Sequence, residues 1–157
     1  MYKGIVFGGG FLGMRIANAL AYENAGRNTI DPLNLSSLCE FLEDKKPDVV
    51  INAVGKTGKP NIDWCESHKE ETMQSNVCAA INLSAECSRR NIYFVHLGSG
   101  GIYYGENENK GFSERDPPNF YDPQYYAKTK ILAEMALREL PGLILRVSMP
   151  IDGSPNE

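Results

Sequence analysis

The chain has 157 residues, 42% hydrophobic and 23% charged, enough for one packed domain. Its formal net charge of −4 leaves no basic stripe to neutralise phosphates and argues against a nucleic-acid partner. No apolar run approaches the ~20 residues that span a bilayer, and the first residue leads straight into a strand without a basic leader, so a cytoplasmic protein with no membrane partner is expected.

Residues 3–7 predict a short apolar strand that ends in glycines. Gly8-Gly9-Gly10-Phe11-Leu12-Gly13 follows as G-x-G-x-x-G. A helix is predicted from Gly13 to about residue 24, with Ile16, Ala17, Leu20 and Ala21 at helical spacing. Glycines placed between a first strand and a first helix are the dinucleotide-binding fingerprint. Gly8 permits the tight turn, Gly10 lets a pyrophosphate approach the backbone, and Gly13 lets helix pack close on strand. Free N–H groups and the dipole at the helix start favour the phosphates, so Gly8, Gly10, Phe11, Leu12 and Gly13 are assigned to a cofactor.

Residues 29–31 predict a weak second strand. Asp31 stands about 20 residues beyond the glycines, where an acidic residue binds the adenosine ribose; the stretch between is short, so the adenine side is its other possible place. Arg27 either pairs with a 2′-phosphate, which favours NADP over NAD, or is a solvated surface charge.

A helix over 35–45 carries Leu38, Phe41 and Leu42 on one face and stops before Pro47. Residues 48–54 form a strongly apolar strand, whose end places Ala53, Val54 and Gly55 against the cofactor. After a polar loop, Asp63 with Glu66 three residues on predicts a helix cap. Helical pattern then continues, with a break, to about residue 90. Residues 92–97 are another apolar strand, ended by the run Gly98 to Gly101. Beyond a long loop, Asp122-Pro123 reads as N-cap and first helical residue. That helix runs to about residue 140, and a last strand covers 143–147.

Continuously apolar strands alternating with helices predict an α/β fold: a Rossmann-type doubly wound parallel sheet with helices on both faces. The second strand is short or missing, and a single NAD(P)-binding domain spans 1–157. Cys39, Cys65, Cys78 and Cys87 contain no C-x-x-C, and His68 and His96 lie at no metal spacing, so neither disulfide nor metal is expected.

Tyr126 and Lys130 form Y-x-x-x-K on one helical face. A cationic Lys130 near the phenol is expected to lower its pKa from about 10, which fits Tyr126 to exchange a proton with a carbonyl oxygen. Ser99, just past the strand over 92–97, lies where open α/β sheets bind ligands and offers a hydroxyl to the same oxygen.

Ser99, Tyr126 and Lys130 behind a glycine turn resemble the short-chain dehydrogenase/reductases. Ser99-Gly100-Gly101-Ile102-Tyr103 and Tyr126-Ala127-Lys128-Thr129-Lys130 resemble the extended branch, the NAD-dependent epimerase/dehydratases that work on nucleotide sugars. The segments 30–34, 47–53 and 145–148 are similar to dTDP-4-dehydrorhamnose reductases. The string 55–69, GKTGKPNIDWCESHK, with 118–120 and 146–150, is very similar to the plant-type bifunctional UDP-rhamnose 3,5-epimerase/4-reductases.

The resemblance implies a Ser99/Tyr126/Lys130 triad that reduces a 4-keto-6-deoxy sugar nucleotide, UDP- or dTDP-linked, with NADP or NAD. It implies Asn76 as the structural and proton-relay asparagine; the residue's own reading is an exposed helix polar. Thr57, Asp63, Trp64 and Glu66 border the cofactor or substrate mouth, with Gly101 and Ser148 on the substrate side; Trp64 is equally a packing anchor. The glycine turn is one residue shorter than the family's usual form. Gly101 stands where epimerising relatives carry a cysteine acid, which leaves 3,5-epimerisation without its proton donor. Relatives continue well beyond residue 157 into a sugar-nucleotide pocket, so the chain is expected to be the cofactor half. A homodimer through Met73, Val77, Ile81, Ile131 and Met135, or a complementing C-terminal half, is the expected partner. A non-catalytic NAD(P)-binding regulatory module is the alternative.

Overall fold

In the computed structural model, which describes residues 2–120 and 124–150, five strands form one parallel sheet. The chain runs β1 (Gly4–Phe7), α1 (Phe11–Leu20), β2 (Glu23–Ala25), α2 (Leu35–Lys45), β3 (Val49–Asn52), α3 (Trp64–Ser67), α4 (Lys69–Met73) and a π turn (Gln74–Cys78). It continues through α5 (Ala79–Arg89), β4 (Tyr93–Ser99), a 3-10 turn (Gly100–Ile102), α6 (Tyr125–Leu137) and β5 (Leu143–Val147). The strand order β2-β1-β3-β4-β5 is the Rossmann-like arrangement that the apolar strands predict. The order reverses at β1, which pairs with β2 on one side and β3 on the other. The crevice beyond the carboxyl ends of β1 and β3 is therefore the topological switch point where such sheets take ligands.

Alternation along β1 explains why both faces are covered. Ile5 and Phe7 join the larger core with Leu38, Leu42, Leu83, Phe94 and Leu137, drawn from α2, α5, β4 and α6. Val6 points the other way, onto Ala17 of α1 beside Ile51 and Val95. Asn34 starts α2 by accepting the Ser37 N–H at its side-chain oxygen, 3.2 Å away.

Several boundaries differ from the sequence reading. The second strand is Glu23–Ala25, not 29–31. Helix α1 stops at Leu20 because Ala21 turns left-handed, φ 52°, and the Tyr22 ring then fills the space beside Gly4. Thr29 and Ile30 instead donate to the Gly26 carbonyl in a turn, with Ile30 buried as a plug. Strand β4 runs two residues further than expected, since Gly98 and Ser99 pair in register with Arg146 and Val147. Helix α6 ends at Leu137 and its first described helical residue is Tyr125; the Asp122-Pro123 cap lies outside the described residues.

Most of the residues named for a dimer contact pack within the chain itself. Val77 and Ile131 are buried in the chain's own core, and Met73 and Ile81 pack against it. Of those five residues only Met135 is exposed.

Behind the switch point lies a buried polar pair. The Asn52 side-chain oxygen accepts the Val54 N–H at 2.9 Å, which turns its amide nitrogen toward His96 Nδ1 at 3.0 Å. Nδ1 therefore accepts, and the proton sits on Nε2, which is buried without a partner. Burial, helped by the nearby Lys130 ammonium, pushes the His96 pKa down to about 3. The unfolded chain takes up this proton near pH 6.5 and the folded one does not, so stability falls as pH drops from 6.5 toward 3. Each pH unit in that window is expected to remove about 1.4 kcal/mol. Melting temperatures recorded from pH 7 to 4 check this. His96→Gln, which keeps an acceptor for Asn52, should flatten the decline; an equally steep one in that variant would refute the assignment.

Candidate active site

The glycine turn closes the switch-point cleft from below. Gly8 has φ 118°, its N–H donates to the Ala25 carbonyl at 3.1 Å, and a Cβ there would lie 2.7 Å from the Ala53 backbone. Gly13 approaches so closely that a Cβ would lie 2.0 Å from the Gly8 oxygen. Gly10 caps α1 and faces open space, with nothing within 4 Å of a Cβ. No side chain caps α1 and no acidic residue occupies its first turn. Its first N–H groups are therefore available to an anion, as a pyrophosphate requires. The cleft, about 210 Å³, is lined by Gly8, Gly9, Gly10, Ala53, Val54 and Gly55 together with Arg27 and Asp31. Phe11, on the first turn of α1, is half exposed with the Arg15 guanidinium 5.4 Å above its ring, and Leu12 is half-buried.

Asp31 is not at the end of β2. It stands six residues beyond Ala25, and its carboxylate accepts the Leu33 N–H at 3.0 Å, on the wall of the cleft beside Ile30 and Pro32. The residues that follow β2 directly are Gly26 and Arg27, and Arg27 is exposed at the cleft.

At the carboxyl end of the sheet the folded chain brings two of the three expected catalytic groups side by side. Ser99 ends β4 and Tyr126 is the second residue of α6, and the Ser99 hydroxyl lies near enough to the phenol to act on its ionisation. The Ser99 oxygen also accepts the Gly101 N–H at 3.1 Å. Burial raises the Tyr126 pKa above its ordinary 10, and the nearby Ser99 hydroxyl only partly offsets this. Lys130, one turn further along α6, is buried and donates from Nζ to the Leu97 carbonyl at 2.9 Å. Burial pushes its pKa down to about 8 against the opposing Glu134 carboxylate. The expected lowering of the Tyr126 pKa by Lys130 is therefore not what the structure shows: desolvation of the phenol dominates. A phenol held above its ordinary pKa keeps its proton at neutral pH, as a proton donor must.

Asn76 is fully buried inside the π turn, not exposed on a helix. Its oxygen accepts the Lys56 N–H at 2.6 Å, and its nitrogen donates to the Lys56 carbonyl and the Thr129 hydroxyl, at 3.2 and 3.0 Å. Thr129 in turn donates to the Tyr126 carbonyl at 2.7 Å. One side chain thus fastens the segment after β3 to the helix that carries Tyr126 and Lys130. A π turn at such a junction matches the usual placement of these irregularities at functional sites.

Trp64 is a packing anchor. It stacks on His68 at 3.7 Å, lies under the Lys56 ammonium at 4.8 Å, and fills the space that a side chain at Gly58 would need. Thr57 and Asp63 are exposed on the same segment. Asp63 forms no side-chain cap on α3, so the predicted Asp63/Glu66 capping pair does not form; Glu66 instead accepts the Tyr125 N–H of α6. Gly101 is exposed beside Ser99, and Ser148 flanks Gly100. Lys56 and Thr129 are the site residues that motif reading misses; Glu66, expected at the cofactor or substrate mouth, bonds the first turn of α6. Only Thr129, three residues after Tyr126 on the same helical face, carried a sequence signal.

A larger groove of about 610 Å³ lies between α6 and β5, lined by Phe112, Glu134, Arg138, Leu145 and Arg146. Its charges are spent internally: Glu134 is paired with both Arg138 and Arg146, and neither Tyr126 nor Lys130 lines it. Among the described residues no helix is long and apolar enough to cross a membrane, and no cluster of His, Cys, Asp and Glu could hold a metal.

Comparison with known proteins agrees with this geometry. The family model of the RmlD substrate binding domain matches residues 4–155. The chain is 37% identical over 156 residues to a trifunctional UDP-glucose 4,6-dehydratase/UDP-4-keto-6-deoxy-D-glucose 3,5-epimerase/UDP-4-keto-L-rhamnose-reductase of Arabidopsis thaliana, covering 94% of this chain and 23% of that protein. It is 38% identical over 121 residues to a bifunctional dTDP-4-dehydrorhamnose 3,5-epimerase/dTDP-4-dehydrorhamnose reductase of the same plant, covering 73% of this chain and 40% of that one. The crystal structure of a UDP-rhamnose synthase from Acanthamoeba polyphaga mimivirus superposes with a TM-score of 0.86 at 25% identity, over 99% of this chain and 59% of that one. The chain therefore spans less than half the length of either plant relative. With the cleft, the Ser99–Tyr126 pair and these likenesses in agreement, the chain belongs to the RmlD substrate binding domain family.

Proposed function

We propose that residues 1–157 are the NAD(P)-binding Rossmann domain of a nucleotide-sugar 4-ketoreductase, acting on a 4-keto-6-deoxy sugar linked to UDP or dTDP. The observation that carries this reading is the Ser99 hydroxyl beside the Tyr126 phenol at the carboxyl end of β4, with Lys130 on the same helix, in a sheet whose switch point carries a glycine-turn cleft. When bound, NAD(P)H supplies a hydride to the carbonyl carbon. Tyr126 gives its phenolic proton to the carbonyl oxygen as the C=O double bond becomes C–OH. Ser99 donates to the same oxygen and stabilises the charge that develops there. The Lys130 ammonium keeps the phenolate left on Tyr126 from standing alone in a buried site. The sugar-nucleotide pocket, with whichever chain segment builds it, completes the substrate side.

Two details sharpen the reading. Arg27, exposed at the cleft directly after β2, supports NADPH over NADH by offering a guanidinium to a 2′-phosphate. Asp31, set on the wall six residues later, faces the adenine in this reading, not the ribose. Gly101 has no proton to give, so epimerisation does not proceed through that position. The four cysteines are unpaired, which supports a reducing, cytosolic setting.

The test is direct. NADPH should bind measurably by calorimetry, with Arg27→Ala weakening NADPH selectively over NADH. The protein should oxidise NADPH when supplied with UDP- or dTDP-4-keto-6-deoxy sugar. Binding of neither cofactor would end the proposal; cofactor binding with no turnover of either sugar, in the protein supplied with the segment that builds its sugar-nucleotide pocket, would leave a regulatory module in its place.

A further inference from the structure

Helix α6 opens with a donor problem that the sequence does not advertise. Its N-cap, Gln124, supplies no side-chain acceptor, and no acidic residue lies in its first turn. The first N–H groups of a helix have no partner within the helix itself. The partner comes from 59 positions earlier: the Glu66 carboxylate accepts the Tyr125 N–H at 2.5 Å. A carboxylate at a helix N-terminus also meets the positive end of the helix dipole. Tyr125 is the first residue of α6 and Tyr126 the second, so the bonded N–H lies one residue from the catalytic phenol.

The surrounding contacts make this a joint and not a stray surface bond. Lys69, three residues after Glu66, places its ammonium 5.4 Å from the centre of the Tyr125 ring. Cys65, beside Glu66, is fully buried, donates to the Lys56 carbonyl at 3.8 Å, and lies close enough to Tyr126 to influence it electrostatically. Lys56 is itself clasped by Asn76, which also bonds Thr129 of α6. The segment from Lys56 to Glu66 therefore reaches α6 at two levels, Thr129 through Asn76 and Tyr125 through Glu66. The same segment begins at the cleft, which Lys56 and the preceding Gly55 line.

We propose that Glu66 is a positioning residue: it caps the catalytic helix from outside and fixes the first turn of α6, and with it the Tyr126 phenol, relative to the cofactor cleft. It touches neither substrate nor cofactor in this account. The inference rests on the reductase reading for its catalytic consequence, but the cap itself is testable without turnover.

Tyr125→Pro isolates the bond. Proline suits the first helical position, where it removes the N–H together with the ring that Lys69 overlies, and Gln124 already has the extended backbone (φ −96°, ψ 119°) that a residue before proline requires. In Glu66→Ala, hydrogen exchange of the amides in the first turn of α6 is expected to rise about tenfold, as a lost cap exposes them to fraying. The single-turnover rate of reduction should fall about tenfold while NADPH affinity stays unchanged. Glu66→Gln keeps an acceptor and should recover most of both losses. Glu70→Ala, which removes an exposed carboxylate of α4 that accepts from Gln74, should change neither. Adding Glu66→Ala to Tyr125→Pro should cost no further activity. Additive losses in the double variant, or unchanged exchange in Glu66→Ala, would overturn the proposal. If the parent protein turns over no 4-keto sugar nucleotide, the reductase reading fails on its own, and the exchange measurements still decide whether Glu66 holds the helix.

Discussion

Tyr126→Phe is expected to slow reduction by about 10²–10⁴-fold and to leave NADPH affinity unchanged. The substitution removes one oxygen from a side chain that is half-buried between Ser99 and α6, and the ring that packs there remains. What is lost is the proton that the substrate oxygen needs as hydride arrives. Because burial holds the phenol above its ordinary pKa, Tyr126 is protonated across the neutral range and sets no limb of the pH profile there. Lys130 does. Its pKa is pushed down to about 8, so it is cationic below that pH and neutral above it. With the ammonium required beside the phenolate, kcat/KM for reduction should be level from pH 6 to 7 and fall as pH rises through about 8. Lys130→Met should be slow at every pH and show no such limb. Stopped-flow oxidation of NADPH across pH 6 to 10 measures both effects. A Tyr126→Phe variant that reduces the sugar at the parental rate would remove Tyr126 from the chemistry.

The same chain shows why some of this site was legible in the sequence and some was not. Gly8, Gly10 and Gly13 were legible because each answers a different local demand, and all three demands fall inside six residues. Ser99, Tyr126 and Lys130 were legible because a helix fixes i and i+4 on one face and a strand end fixes the third group. The second strand was misplaced because three residues with one buried side chain, Ala25, carry almost no hydrophobic pattern, while Ile30 looks like strand and serves as a loop plug. The pKa of Tyr126 was misjudged because spacing places a charge near a phenol but says nothing of how deeply the phenol is buried. Asn76 and Glu66 were placed at the site by the resemblance alone, and the bonds that join them to Lys56, Thr129 and Tyr125 were invisible because they span 20, 53 and 59 residues and end mostly on backbone atoms, which any residue type presents. Reading Asp63 and Glu66 as a local capping pair was reasonable chemistry applied to the wrong helix: the carboxylate does satisfy helical N–H, but that of α6.

Gly13→Ala and Gly10→Ala should separate the structural demand of the glycine turn from its chemical one. At Gly13 an added Cβ would stand 2.0 Å from the Gly8 carbonyl oxygen and 2.9 Å from its carbon. Both are backbone atoms of the turn, held in place by the Gly8 N–H bond to Ala25 and the Asn24 side-chain bond to the Gly8 oxygen, so nothing flexible can yield. Either α1 lifts from β1 or the turn breaks, and overpacking of this kind costs about 1–3 kcal/mol or more. Gly13→Ala is expected to lose several degrees of melting temperature and NADPH binding together. At Gly10 the backbone is extended, φ −81° and ψ −178°, and no atom lies within 4 Å of the new Cβ. The fold has no reason to notice Gly10→Ala, and its melting temperature should match the parent's. Its methyl group, however, projects into the open space before the uncapped start of α1, where a pyrophosphate would meet the backbone N–H groups. NADPH affinity should therefore fall at least tenfold, about 1.4 kcal/mol, with stability unchanged. Calorimetry beside thermal melts distinguishes the two variants. Parental NADPH affinity in Gly10→Ala would mean that the phosphates do not approach α1 at all, and the cleft would need another occupant.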